Sequence, residues 1–291
     1  MKPAPFEYFR PGTLAEALRI LSSQENCKVL AGGQSLMAML NLRYLLPDVL
    51  VDINRIPELA EITCSAGKVR IGAMTRQRHI ERHEELATVA PIFAEALHLV
   101  GHRQTRNRGT IGGSLCHLDP AAELPTIALL MDAAIEVAGA DGQRRLLPIS
   151  DFIAGFMMPN IGPDEIVTAI EVSLWKAGHG HAFREFARRH GDFAIASAAA
   201  LVETDTGGVI ERIAIALGGV GSVPQRLPAA EELLRGSRGT DTDIEAAADL
   251  CSGLEIIGDF HGSPEYRLSV ARAMLKRSLK AAVARAAGAM Q

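Results

Sequence analysis

The stretch Cys27–Leu36, Cys-Lys-Val-Leu-Ala-Gly-Gly-Gln-Ser-Leu, constrains the fold more than any other part of the chain. Its short apolar run, Val29-Leu30-Ala31, reads as a buried strand. Gly32-Gly33 then gives a turn with no side chains in the way, and Gln34-Ser35 opens a second apolar run, Leu36 to Leu40, that reads as a helix. Paired glycines let backbone N–H groups approach a bulky anion closely, and a helix start favours negative charge. About 80 residues later the same grammar returns as Gly109-Thr110-Ile111-Gly112-Gly113-Ser114. Two such loops suggest two arms gripping one phosphate-bearing cofactor.

Length and charge limit what those arms can serve. A chain of 291 residues has room for two or three domains. Its net charge of −4 gives no support to nucleic-acid binding, which calls for a basic surface. Met1-Lys2-Pro3-Ala4-Pro5 has no apolar core behind it and does not read as a signal peptide, and no apolar run approaches the ~20 residues of a membrane span. Cys27, Cys64, Cys116 and Cys251 are scattered without C-x-x-C spacing, so they read as reduced cytoplasmic thiols and not as iron–sulfur ligands.

Along the chain, Thr13-Leu14-Ala15-Glu16 makes a capping box before a short helix with Leu14, Leu18 and Leu21 on one stripe. Val49–Ile53 reads as a strand, so the opening 55 or so residues form a small α/β unit that ends near Pro57. Val69–Ala73 reads as a strand, and Thr75 is placed to cap a helix through Leu86. Further helices are expected from Pro91 to Val100 and from Pro125 to Met131, and strands at 135–137, 145–147 and 166–172. Beyond a linker-like stretch at 176–181, the reading is strand (182–188), small-residue helix (195–201), strand (210–217) and a final helix from Pro264.

Neither glycine loop fits G-x-G-x-x-G or carries G-K-[ST], which sets aside the commoner nucleotide fingerprints. Asp119 and Glu123 beyond the second loop suit the hydroxyls of a sugar or sugar-alcohol chain, but they equally suit a turn former before Pro120 and a first-turn helix acid. His79/His83 and His98/His102 each share a helical face but lack a third ligand. Ser35 and Ser114 stand outside any G-x-S-x-G elbow. The turn Arg188–Phe193, with two cations, a carboxylate and an aromatic, can face a flavin ring or be a solvated hairpin.

Taken together, Ala-Gly-Gly-Gln-Ser (31–35), Thr-Ile-Gly-Gly-Ser with Asp-Pro-Ala-Ala-Glu (110–123) and Ala-Arg-Arg-His-Gly-Asp-Phe-Ala (187–194) resemble the FAD-binding medium subunit of the molybdenum hydroxylases, the family of carbon monoxide dehydrogenase and xanthine dehydrogenase. The similarity runs through nearly the whole chain and includes Ala216–Pro224 and Tyr266-Arg267. It implies an α+β fold of the vanillyl-alcohol-oxidase (PCMH) type: FAD-binding subdomains over 1–56 and 57–176, then a C-terminal α/β domain over 177–291.

Carried over by position, Leu30, Ala31, Gly32, Gly33, Gln34, Ser35 and Leu36 would cradle the pyrophosphate, with Thr110, Gly112, Gly113 and Ser114 as the opposing arm. Glu123 stands where the family usually has an Asp on the ribityl chain, with Asp119 nearby. Val167 and Arg184 fall near the flavin ring, and the 188–192 loop, with Arg189 and Asp192, would border its exposed face. The resemblance further implies a large partner holding molybdopterin, a small partner with two [2Fe–2S] clusters, and a dimer of heterotrimers. This chain would then take electrons singly and pass them to an external acceptor. A self-contained FAD oxidase of the same fold is the alternative.

Overall fold

A computed structural model describes residues 1–288. The first element is a three-stranded parallel sheet in the order Glu7–Phe9, Val49–Asp52, Cys27–Leu30. The edge strand Glu7–Phe9 escapes a sequence reading because it is short and half exposed. The crossover helix Leu14–Ser23 buries Leu14, Ala17, Leu18 and Leu21 against this sheet. Thr13 caps it by accepting from the Glu16 N–H at 3.2 Å, while the Glu16 carboxylate takes the N–H of Gly12 at 3.0 Å, so the expected box is shifted by one residue on its second side. Strand Cys27–Leu30 runs into the glycine turn and then helix Leu36–Asn41, as its sequence demands.

The second sheet is antiparallel, ordered Ile62–Ser65, Lys68–Gly72, Ile166–Ser173, Ala134–Ala138, Arg144–Pro148. The helices between its second and third strands in sequence cover it through a core that includes Ile80, Phe93, Leu97, Ile111, Leu115 and Ile127. Two expectations fail in this region. His98 follows helix Ile92–Leu97 and His102 precedes helix Arg103–Arg108, so these two share no helical face. The helix expected from Thr75 through Leu86 is two helices, Gln77–Glu81 and Glu84–Val89, with a break at Arg82-His83. His83 starts the second by accepting the Leu86 N–H at 3.2 Å on its ring nitrogen, so His79 and His83 do not share a helical face.

A third sheet, in the order Gly180–Ala187, Ala194–Thr204, Ile210–Gly218, Gln225–Arg226, is antiparallel and carries the helix Pro264–Ala286. Its second strand replaces the small-residue helix expected at 195–201. Ala is a strong helix former, but here tertiary packing decides. Ala199 and Leu201 enter the core shared with the preceding part, while Ala196, Ala198, Ala200 and Val202 enter a second core under the long helix. With both faces covered, the strand has no polar alternation to betray it. The long helix lies very close to this sheet: on the neighbouring strand, a Cβ on Gly180 would stand 1.8 Å from the Ala282 carbonyl oxygen. Among the described residues no helix is long and apolar enough to cross a membrane.

Candidate functional site

The two glycine loops meet. A Cβ on Gly32 would lie 2.4 Å from the Arg108 carbonyl oxygen and 2.9 Å from the Gly109 Cα, so the backbones touch where a side chain would part them. A Cβ on Gly113 would sit 3.6 Å from the Ala31 methyl. Gly33 has φ of +74°, the left-handed region that favours glycine, and this turns the chain sharply towards helix Leu36–Asn41.

Polar side chains lock this junction. Asn54, just past the strand Val49–Asp52, donates from Nδ2 to the Ala31 carbonyl at 2.9 Å. Its Oδ1 accepts from Arg76 Nη2 at 2.5 Å, and Arg76 Nη1 donates to the Arg108 carbonyl. One guanidinium therefore ties the first loop to the second. The N–H of Gln77 donates to the Gly109 carbonyl at 2.9 Å. Behind Asn54, Asp52 accepts from Tyr8 and from the Asn54 backbone N–H. Burial pushes the Asp52 carboxyl up, but the hydrogen bonds from Tyr8 and Asn54 and the charge of Arg10 outweigh it and leave it below its usual range. Burial, then the charge of Arg108, lower the Arg76 pKa. Two neighbouring guanidiniums at a backbone cleft form a place where an anion is stabilised.

The two arms differ in what they offer. Among the described residues, the backbone N–H groups of Gly33, Gln34 and Ser35 have no acceptor within the protein. None of these three residues is buried, and successive N–H groups left free ahead of a helix form a concavity that suits an anionic ligand. On the second arm the donors are engaged. The Gly112 N–H donates to the Ala73 carbonyl at 2.8 Å, and that of Gly113 to Thr110 Oγ at 3.1 Å. Gly112 acts as a spacer, since a Cβ there would meet the Ala73 methyl at 2.6 Å. Gly112, Gly113 and Ser114 lie within helix Ile111–His117, capped by Thr110, and not in a loop ahead of it.

The remaining candidates spread outward. Asp119 closes the turn as a turn former does, its Oδ1 accepting the Ala121 N–H at 2.9 Å. Glu123 opens helix Glu123–Leu130, is only 8% exposed, and faces Glu185 of the third sheet. Val167 is packed in the large core with little surface left for a ligand. Arg184 hydrogen-bonds Glu95 and the Phe183 carbonyl on the wall of an open cleft of about 500 Å³. The turn 188–192 rests on the residues preceding the second arm: His190 stacks on His102, with ring centroids 6.1 Å apart, and Gly191 backs directly onto the His102 ring. Within the turn, Arg188 and Asp192 pair at 3.6 Å, while Arg189 contributes its carbonyl to the Asp192 N–H.

Residues 4–175 match the family described as the FAD binding domain in molybdopterin dehydrogenase, and residues 181–282 match the CO dehydrogenase flavoprotein C-terminal domain. The chain belongs to the FAD-binding medium subunits of the molybdenum hydroxylases. It is 41% identical to the 6-hydroxypseudooxynicotine dehydrogenase complex subunit alpha of Paenarthrobacter nicotinovorans, over 98% of this chain and 97% of that protein. It is 36% identical to the carbon monoxide dehydrogenase medium chain of Hydrogenophaga pseudoflava, over 99% and 100%. Among solved structures, quinoline 2-oxidoreductase from Pseudomonas putida 86 superposes with a TM-score of 0.94 at 34% identity, covering 100% of both chains. As a medium subunit it is an oxidoreductase component, and the α+β architecture, FAD-binding part then C-terminal part, is that of the family.

Four residues outside the glycine motifs stand beside these candidates: Asn54, Arg76 and Gln77 at the junction of the loops, and Glu185 against Glu123. Nothing in the spacing of 54, 76 and 108 links them before the sheets are assembled. Glu185 did carry a signal, because it falls two residues from Phe183, on a strand face whose other member is core.

Proposed function

We propose that this chain is the electron-relay subunit of a molybdenum hydroxylase complex. It would take electrons one at a time from [2Fe–2S] clusters on a small partner and pass them through FAD to an external acceptor. Substrate oxidation would take place at molybdopterin in a large partner, within a dimer of heterotrimers. The observation that carries this reading is the direct contact of two side-chain-free loops, Gly32 on Arg108-Gly109, with unpaired N–H groups of Gly33, Gln34 and Ser35 beside it. We assign Leu30–Leu36 to the diphosphate, with Ser35 and Ser114 as hydroxyl donors. Thr110, Gly112 and Gly113 shape the opposing wall, Asp119 and Glu123 accept from the ribityl chain, and Val167, Arg184, Arg189 and Asp192 lie on the flavin-ring side. We take 1–56 and 57–176 as the two FAD-binding subdomains and 177–291 as the C-terminal domain. The free cysteines support a cytoplasmic location.

FAD, once bound, supplies a carrier that accepts and releases single electrons; this chain's residues bind it, orient it and neutralise its diphosphate. Relatives named for carbon monoxide and for a nicotine derivative share 36% and 41% identity with this chain over nearly its full length. Such spread supports placing substrate choice in another polypeptide.

The test is to purify a tagged chain from its native host. One FAD per chain, together with a copurifying iron–sulfur chain and a molybdenum chain, is the expected result. A chain that takes up no added FAD, or that alone oxidises a small organic substrate, would refute the relay reading.

A further inference from the structure

Glu123 and Glu185 come from different parts of the chain, one from the start of helix Glu123–Leu130 and the other from the strand Gly180–Ala187. Their carboxyl groups lie within hydrogen-bonding reach of each other, Glu123 at 8% exposure and Glu185 on the wall of the open cleft. Oε2 of Glu185 is buried and has no hydrogen-bond partner. Two carboxylates cannot hydrogen-bond each other unless one carries a proton, and two anions in contact away from water repel strongly.

The neighbouring charges do not relieve this. Asp119, on the turn before the helix, adds a further negative charge facing Glu123. The charge of Arg106, on helix Arg103–Arg108, acts on Glu123, but its guanidinium donates to Glu81 at 3.0 Å and to the Val100 carbonyl at 2.9 Å. On the cleft wall beside Glu185, Arg184 is held by Glu95, and His98 lies 3.4 Å from Glu81. Burial, and then the charge of Glu123, push the Glu185 carboxyl up to about 9. Burial raises Glu123 as well, against the opposing pull of its hydrogen bonds and of Arg106.

We propose that Glu185 is a positioning residue for the flavin site: it shares one proton with Glu123, so that Glu123 turns a fixed carboxylate oxygen towards the hydroxyls of the ribityl chain. This deepens the assignment of Glu123 made above and rests on it. The C-terminal domain thereby contributes directly to cofactor binding. Above the pH at which the shared proton is lost, the pair becomes a dianion, its members separate, and the acceptor loses its direction.

The experiment uses the full chain stripped of FAD. FAD affinity is followed by quenching of flavin fluorescence from about pH 7 to about pH 10, with circular dichroism verifying that the fold persists. Wild type should lose about tenfold in affinity for one pH unit above the loss of the shared proton. E185Q, whose amide donates to Glu123 without titrating, should bind FAD with no alkaline limb, and E185L should bind more weakly at every pH. Infrared spectra of the FAD-free chain at neutral pH should contain a protonated-carboxyl C=O band that E185Q abolishes.

Absence of that band in wild type, or an alkaline limb unchanged in E185Q, overturns the shared proton. FAD binding unchanged in E123Q instead overturns the assignment of Glu123, a failure the infrared band separates from the first.

Discussion

The tightest consequence of the site is the effect of one methyl group at Gly32. Its φ is outside the left-handed region, so Gly32→Ala introduces no backbone strain and the perturbation is purely steric. The new Cβ would stand 2.4 Å from the Arg108 carbonyl oxygen, where ordinary contact begins at 3.4 Å, so the loops must part by about 1 Å. The atoms in the way are backbone and cannot rotate aside. Overpacking of this kind costs about 1–3 kcal/mol of stability. The larger effect falls on the ligand. A movement of ~1 Å takes an N–H···O contact of ordinary length beyond hydrogen-bonding range. Each charge-assisted bond to the diphosphate is worth about 1.5–3 kcal/mol, so losing one weakens FAD binding about tenfold to a hundredfold. The assay is an FAD titration of the stripped chain, paired with a thermal melt. Gly12→Ala is the control, because a Cβ there meets nothing within 4 Å. If Gly32→Ala binds FAD within about threefold of wild type, the junction of the two loops is not the cofactor cradle.

Two further outcomes follow from buried groups. Burial raises Glu81, but Arg78 and Arg106 more than reverse this and hold its carboxyl below the usual range; Arg106→Met should cost about 3 kcal/mol in a thermal melt at neutral pH. Because the folded value is lowered, that stability is present above the ordinary carboxyl range and is lost as pH falls through the folded value, so the gap between variant and wild type should close in acid. Cys251 is fully buried, and burial pushes its thiol up to about 11, so it should resist a thiol reagent near neutral pH in the native chain, while all four cysteines react after denaturation.

Much of this molecule can be read from local patterns, because local physics fixes them. The strand, glycine turn and helix of Cys27–Asn41 follow from an apolar run, two side-chain-free residues and a second apolar run. The long helix from Pro264 announces itself by the helical spacing of Leu268, Ala271, Leu275, Leu279 and Val283, and the structure adds Ser263 as its cap, accepting the Tyr266 N–H at 3.3 Å. Where the reading fails, the deciding force is not local. Ala194–Thr204 is a strand only because two layers of helix cover it, and Gln77–Glu81 stops where His83 caps the next helix. The glycines mark where the cofactor's charge would lie, but the clamp that aligns them, Asn54–Arg76–Arg108, joins residues that the sequence keeps far apart.

The third sheet has a consequence for how the molecule comes apart. Phe183, Ala199, Leu201, Ala214 and Ala216 belong to the same apolar core as Phe93, Leu97 and Ile127 of the preceding part. Arg226 reaches across to the Leu129 carbonyl at 3.0 Å, and the Gly219 N–H to the Pro120 carbonyl at 2.7 Å. Cutting the chain near Trp175 would not release two self-sufficient pieces. It would open a shared oily wall on both fragments at once, so melting of the rear sheet and loss of the nucleotide should register as a single cooperative event.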